Sequence, residues 1–383
     1  MVAFDYLERL QSARRIVIKV GTSTLTHRTG KLNLNLMEHL VRQLADLQNQ
    51  GKEVALVTSG AVGAGMGRLG VGAKPTSIME HQALAAVGQA LLMQVYEKLF
   101  SEYGTIVAQV LLTRTDVSDR KRYLNSRNTI LTLLQYQVVP IINENDTVAT
   151  EELKYKFGQN DCLSALVAGL IEADLLILLS DIDGLYTADP HQDKTATLIP
   201  VVSEINSEII KMAGGAGSVL GTGGMKTKIE AAQMATSAGT TMIIMNGANP
   251  SQIQKVFQGE PVGTVFLSNQ PQVNSRKHWI AYGPPIQGEL MVDEGAELAL
   301  LHRGKSLLPS GVINIRGEFD EGDLVKIVNQ KGEELGRGFT SYGTDPLSKI
   351  CGKKTTEIET VLGYKITDEV IHRDNLVITC IQK

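Results

Sequence analysis

The chain has 383 residues, of which 43% are hydrophobic and 20% charged, and a formal net charge of -4 at pH 7. That length is too great for one hydrophobic core and suits two domains, and the mild acidity gives no electrostatic reason to expect nucleic acid or an anionic membrane as partner. The cysteines (Cys162, Cys351 and Cys380) are far apart and form no CxxC, and neither a secretory h-region nor an apolar run of roughly 18 residues is present, so a cytoplasmic protein without disulfides or a zinc site is expected.

In chain order, residues 15–20 (Arg-Ile-Val-Ile-Lys-Val) predict a short buried strand, broken by Gly21, Thr22 and Ser23. Lys19 is out of place there, because a buried ammonium group is costly unless it meets an anion. The alternative is an edge lysine that snorkels to water. Met37, Leu40, Val41, Leu44 and Leu47 recur at helical spacing until Gly51. A second strand, 53–58, runs into Ser59, Gly60 and further small residues, which let a backbone approach a ligand closely. Gly65, Gly67 and Gly70 fit GxGxxG, but they start well past the strand end, so tight packing is expected there and not a dinucleotide fingerprint. A helix near 78–100, a strand at 106–112 and a helix near 123–135 follow. The basic run Arg120, Lys121, Arg122 reads as a solvated helix start or a subunit contact.

The strand at 138–142 breaks at once into Asn143, Glu144, Asn145, Asp146 and Thr147. A charged segment (151–157) leads to Gly158, Gln159, Asn160 and Asp161, ahead of an apolar helix near 163–171. A buried strand that ends in amides and carboxylates is how open α/β sheets build ligand sites, beyond the carboxyl ends of their strands. The most apolar strand, 174–179, ends at Ser180 and Asp181. Next come Gly214, Gly215, Gly217, Gly221, Gly223 and Gly224, then Met225, Lys226, Thr227, Lys228 and a helix through Ala235. Glycines before a helix supply free N–H groups and the positive end of its dipole, which suits phosphate, although no Walker A pattern fits. Strands at 240–245 and 263–267 complete this half. Strands alternating with helices predict an α/β fold with a mostly parallel open sheet sandwiched by helices.

Past Gly283 the pattern changes to short strands at 312–315, 324–328 and 334–339, separated by glycine-rich turns, which predict a small C-terminal β-barrel. The expected division is 1–270, a linker at 271–287, the small domain at 288–366 and a tail at 367–383. Residues 288–366 carry ten Lys and Arg against thirteen Asp and Glu, a net of three negative charges, which makes RNA binding an unfavoured expectation. His372-Arg373-Asp374 echoes a protein-kinase loop but lacks its companion motifs.

None of the loops that end these strands carries a histidine, and no Ser-His-Asp or Cys-His grouping is evident, so hydrolytic or acyl-enzyme chemistry has little support. Phosphoryl transfer fits better, since its catalysis is mostly positioning and charge neutralisation. Two lysines, backbone N–H groups and a metal ion would stabilise the charge on the transferred group. A carboxylate acceptor is already ionised and needs no general base.

The motifs Ile-Lys-Val-Gly-Thr-Ser (18–23), Val-Thr-Ser-Gly-Ala-Val (57–62), Leu-Leu-Thr-Arg (111–114), Ile-Asn-Glu-Asn-Asp-Thr-Val-Ala (142–149), Asn-Asp (160–161), Asp-Gly-Leu-Tyr-Thr-Ala-Asp-Pro (183–190) and Gly-Thr-Gly-Gly-Met-Lys-Thr-Lys (221–228) together resemble the amino acid kinase superfamily, and within it the glutamate-phosphorylating members. Val-Asp-Glu-Gly-Ala (292–296) and Lys-Ser-Leu-Leu-Pro-Ser-Gly (305–311) resemble the PUA domain that many of those enzymes append. The resemblance spans nearly the whole chain. It implies the amino acid kinase fold and ATP-dependent phosphorylation of the side-chain carboxylate of L-glutamate to L-glutamyl 5-phosphate, the first step of proline biosynthesis. Carried over by position, it implies that Lys19 and Lys228 neutralise the phosphoryl group in flight and that Asp161 orients them. Ser59, Asn143, Asp146 and Asn160 would hold glutamate. Lys19, Ser180, Asp181, Thr222, Gly223, Gly224, Met225, Lys226, Thr227 and Lys228 would line the ATP site, with Mg2+ carried by the ATP phosphates and no metal ligand from the protein. It also implies proline as feedback inhibitor, a homodimer or homotetramer, and glutamyl phosphate reductase as the enzyme that takes the product. Similar enzymes usually have Asp where this chain has Gln159. A sister kinase acting on aspartate, N-acetylglutamate or a nucleoside monophosphate is the nearest alternative, against which the Asn-Glu-Asn-Asp run (143–146) argues. An RNA-binding protein with a degenerate kinase half is the other.

Overall fold

A computed structural model describes residues 2–27, 29–149, 160–190, 192–213, 224–268, 280–281 and 285–379. Two compact units divide the chain: Met1–Asp116 with Arg120–Val273, and Val117–Asp119 with Asn274–Lys383. The first is built on eight strands: β1 (Arg15–Val20), β2 (Glu53–Val57), β3 (Val107–Leu112), β4 (Val139–Glu144), β5 (Leu175–Ser180), β6 (Val201–Val202), β7 (Thr241–Asn246) and β8 (Thr264–Phe266). They lie in the order β3-β4-β2-β1-β5-β7-β8-β6. Every pairing is parallel except that of β7 with β8.

The near-continuous apolar runs of β1 and β5 suit strands buried on both faces, as parallel sheets require. On one face Ile16, Ile18, Val20, Leu175, Ile177 and Leu179 pack with Met37, Leu40 and Leu44 of the helix Leu34–Asn49 and with Tyr96 and Phe100 of the helix Ile78–Ser101. Because strand side chains alternate, Val17 and Lys19 face the other side. There the helix Asn160–Leu170 packs on β1 and against the helix Met225–Ser237. The sequence-predicted helix near 163–171 starts earlier, so Asn160 and Asp161 sit in its first turn. The strand order reverses about β1: β2 and β4 lie to one side, β5 and β7 to the other. The crossing from β4 to β5 carries Asn160 and Asp161, which puts them at the topological switch point, the preferred ligand crevice of open α/β sheets.

The GxGxxG match is a packing feature, as expected. Gly65 and Gly67 lie in the helix Ala61–Leu69, which crosses Ile78–Ser101 so closely that a Cβ on Gly65 would stand 1.9 Å from the carbonyl oxygen of Leu84, and one on Gly88 would stand 1.7 Å from that of Ala61. The basic run does begin a helix, Arg120–Gln135, with Lys121 and Arg122 exposed. Arg120 is half-buried, its guanidinium 5.5 Å from the ring centroid of Tyr123, so it is not simply solvated.

The smaller unit holds five strands: β9 (Gly288–Val292), β10 (Val312–Arg316), β11 (Leu324–Val328), β12 (Glu334–Phe339) and β13 (Leu376–Ile378), in the order β10-β9-β11-β12-β13. Its core joins Leu290, Val292, Val325 and Ile327 to Tyr342, Leu347, Ile371 and Leu376. The segment expected as a tail from 367 is instead part of the sheet: β13 pairs with β12, Ile371 bridges to Leu307, and Val370 and Ile371 are fully buried. Its apolar residues, Val370, Ile371 and the run from Leu376, are buried or paired against distant partners, which ties the segment into the domain.

Candidate active site

Five parallel strands, β4, β2, β1, β5 and β7, end on the same edge of the large sheet, so their C-terminal loops share one rim. Lys19, paired in register with Val57 and Leu178, is the charged residue in the middle of it. Its relative exposure of 8% rules out a snorkelling edge lysine. Its anion is Asp161, 1% exposed, whose Oδ1 lies 2.5 Å from Lys19 Nζ. The other carboxylate oxygen accepts from Lys228 Nζ at 3.5 Å and from Thr227 Oγ1 at 3.2 Å. Lys228 is 5% exposed, one turn into the helix Met225–Ser237, whereas Lys226 is exposed. Two buried ammonium groups are thus held on one carboxylate by three different elements. Burial pushes the Asp161 carboxyl up, but the charges of Lys19 and Lys228, with hydrogen bonds from Lys19 and Thr227, outweigh it and hold the group below its ordinary range.

Beside this trio lies an amide cluster. Asn160 Nδ2 donates to the Thr58 carbonyl at 2.5 Å, to Ser59 Oγ at 2.9 Å and to Asn143 Oδ1 at 2.9 Å. Ser59 follows β2, where Gly60 takes a left-handed φ of 92° to enter the helix Ala61–Leu69, a conformation that favours glycine. Asn143 is in β4, 2% exposed. Asp146 is half-buried in the turn after β4, where Asn145 caps Val148 and Ala149 through its carbonyl. On the far side of β1, Ser180 is buried at the end of β5 and donates to the exposed Asp181 at 3.0 Å. Gly224 and Met225 open the helix that carries Lys228, and the Thr227 N–H of its first turn donates to the Gly224 carbonyl at 3.1 Å. Thr222, Gly223 and Gln159 lie outside the described residues, as does the rest of the glycine run before Gly224.

The site therefore brings together Lys19, Lys228 and Asp161, and brings Ser59, Asn143 and Asn160 into mutual contact. Sequence reasoning missed the role of Thr227 as a partner of Asp161, and it missed Gln89 and Tyr96. Gln89 Oε1 accepts from Asn143 Nδ2 at 2.8 Å, and the Tyr96 hydroxyl meets Thr58 Oγ1 at 2.9 Å. Cys162, next to Asp161, offers no nucleophile at neutral pH: burial, then the charges of Glu230 and Asp161, push its thiol up to about 12.

Residues 14–246 match the amino acid kinase family, and residues 288–362 match the PUA domain. The chain belongs to the amino acid kinase family. Among curated relatives, this amino acid kinase is 57% identical over 369 residues to the glutamate 5-kinase of Moorella thermoacetica, covering 96% of this chain and 97% of the relative. It is 56% identical over 364 residues to the glutamate 5-kinase of Caldanaerobacter subterraneus, covering 95% and 97%. It is 48% identical over 369 residues to that of Geobacter sulfurreducens, covering 96% and 98%. Among the described residues no helix is long and apolar enough to cross a membrane.

Proposed function

We propose that this amino acid kinase transfers the γ-phosphoryl group of ATP to the side-chain carboxylate of L-glutamate, giving ADP and L-glutamyl 5-phosphate, the first step of proline biosynthesis. The observation that carries this reading is the pair of buried lysines on opposite oxygens of Asp161, beside a cluster of amides at the switch point of the sheet. A carboxylate oxygen of glutamate attacks the γ-phosphorus, the bond to the β–γ bridging oxygen breaks, and ADP leaves with that electron pair. No proton has to move, so the site needs no general base. Lys19 and Lys228 neutralise the charge that spreads over the equatorial oxygens, and Asp161 holds both ammonium groups ready before substrate arrives.

β1 divides the labour. On the β2–β4 side, Ser59, Asn143 and Asn160 present amide and hydroxyl groups to glutamate, and Asp146 supplies a carboxylate for its ammonium group. On the β5–β7 side, Ser180 and Asp181 take the nucleotide, and the helix that opens at Met225 receives the phosphates with residues 222–228. Both oxygens of Asp161 accept hydrogen bonds, Oδ1 from Lys19 and Oδ2 from Lys228 and Thr227. Mg2+ would be carried by the ATP phosphates and would supply positive charge to offset theirs. In this reading proline acts as feedback inhibitor, the enzyme is a cytoplasmic homodimer or homotetramer, and glutamyl phosphate reductase takes the product.

The test is an assay with ATP, Mg2+, glutamate and hydroxylamine, which traps an acyl phosphate as hydroxamate. Hydroxamate dependent on glutamate is the expected result. Turnover of aspartate, N-acetylglutamate or a nucleoside monophosphate with none from glutamate would overturn the reading.

A further inference from the structure

The helix Ile78–Ser101 contributes no residue to the trio of charges, yet it touches the proposed glutamate pocket three times. Gln82 Nε2 donates to the Ala149 carbonyl at 3.3 Å, Gln89 Oε1 accepts from Asn143, and Tyr96 bonds Thr58. These residues are spaced by seven, which is close to two helical turns, so they lie along one face. The middle contact is part of a longer chain of side-chain amides. Asn160 donates to Asn143 Oδ1, Asn143 to Gln89 Oε1, and Gln89 Nε2 to Gln109 Oε1 at 3.0 Å, on the exposed side of β3. All four carboxamides point the same way, each NH2 toward the oxygen of the next. Flipping any inner one would set oxygen against oxygen and NH2 against NH2, so the polarity of each amide is fixed by its neighbour.

That polarity has a consequence at the head of the chain. The NH2 of Asn160 is committed to Thr58, Ser59 and Asn143, which turns its Oδ1 into the acceptor offered to whatever occupies the pocket. Asn143 is buried and cannot borrow water to hold its orientation, whereas Gln89 is half-buried and ties it to a helix. We propose that Gln89 is a positioning residue for the amino-acid substrate: the Thr58 carbonyl orients Asn160, Asn160 orients Asn143, and by accepting from the buried Asn143 NH2 Gln89 satisfies that group and holds the amide pair in place for the substrate. The inference rests on the assignment of this pocket to glutamate.

The chain makes unlike demands of its members, which gives a test. Gln89→Met keeps length and volume but removes the acceptor, leaving the buried NH2 of Asn143 unsatisfied and its side chain untethered on that side. Leaving the buried Asn143 NH2 without its acceptor corresponds to a rise of roughly 5- to 30-fold in the KM for glutamate. The KM for ATP stays within about twofold and kcat changes less than the glutamate KM, the signature of a lost substrate contact. Gln89→Glu keeps an acceptor toward Asn143, and Gln109 can rotate to donate to the new carboxylate, so the glutamate KM returns to within about threefold of the parent value. Gln109→Met, one link further out, raises it less than Gln89→Met does. The variants are compared by steady-state hydroxamate kinetics with thermal melting alongside. A Gln89→Glu enzyme as impaired as Gln89→Met, or a glutamate KM unmoved in Gln89→Met, overturns the inference while the parent enzyme still turns over glutamate. If Gln89→Met does not fold, the Gln89→Glu and Gln109→Met pair decides: a glutamate KM raised more by Gln89→Glu than by Gln109→Met counts against it. A parent enzyme inactive on glutamate instead removes the functional reading on which the inference stands.

Discussion

Replacing Asp161 by Asn isolates the charge at the centre of the site. The side chain keeps its shape, but the two buried lysines lose their shared anion and their ammonium groups face each other across it. Breaking a buried pair by removing one partner costs about 3–5 kcal/mol. The lower end applies here, because both side chains retain a little exposure to water. For a unit of this size each kcal/mol moves Tm by about 2–4 °C, so a fall of roughly 6 °C or more is expected at pH 7. ATP supplies the missing negative charge, so saturating nucleotide should raise the Tm of Asp161→Asn by more than it raises that of the parent. The pH dependence has a definite sign. The folded carboxyl sits below its ordinary value of 3.8, so its stabilising effect is complete above that value and is lost as pH falls through the lower folded one. The gap between the two proteins should therefore be full at neutral pH and shrink in acid. Differential scanning of both proteins across pH, with and without ATP, checks this. A Tm within 2 °C of the parent at pH 7, or a nucleotide shift no larger than the parent's, would refute the claim that Asp161 is the counter-ion of both lysines.

Lys19→Ala and Lys228→Ala should each lower kcat by roughly a hundredfold or more, the scale of losing one charge-stabilising donor, as read by hydroxamate formation at saturating substrates. Asp146→Ala should raise the KM for glutamate and leave that for ATP nearly unchanged; normal glutamate saturation would remove Asp146 from the substrate site. Gly88→Ala should destabilise the large unit by about 1–3 kcal/mol in urea unfolding, because its Cβ would meet the Ala61 carbonyl, whereas Gly72→Ala, with open space around its Cβ, should be close to neutral.

The parts of this site that a sequence reveals are those with a local anomaly. Lys19 stands out because a charge interrupts an apolar strand, and Asn143 and Asp146 because a buried strand ends abruptly in amides and carboxylates. Six parallel strands, β1 to β5 and β7, were legible from their apolar runs. What was not legible depends on distant partners. Gln89 meets Asn143 across 54 residues of chain, Gln82 meets Ala149 across 67, and Tyr96 meets Thr58 across 38. Within its own helix each looks like an ordinary polar or aromatic surface position. The same holds for β13, three residues whose place in the sheet comes from pairing with β12 and not from any periodicity. The helix start at Asn160 was hidden for a different reason: the first turn is polar because it faces the site, so the apolar pattern begins only after it.

The position of Asp161 also explains why the centre holds a carboxylate that performs no acid-base step. Lys19 and Lys228 without it would place two positive charges in a crevice closed to water, and the empty site would resist folding. With it the trio carries a single net positive charge, tolerable in the empty protein and still attractive to a polyphosphate. Because both oxygens are engaged and the group is held below its ordinary range, it stays ionised at neutral pH and is a poor acceptor for a substrate proton. An alcohol acceptor would need such a base; a carboxylate acceptor does not. The same geometry that stabilises the empty site thus favours acceptors that arrive already ionised, and leaves the choice among them to the amides on the β2–β4 side.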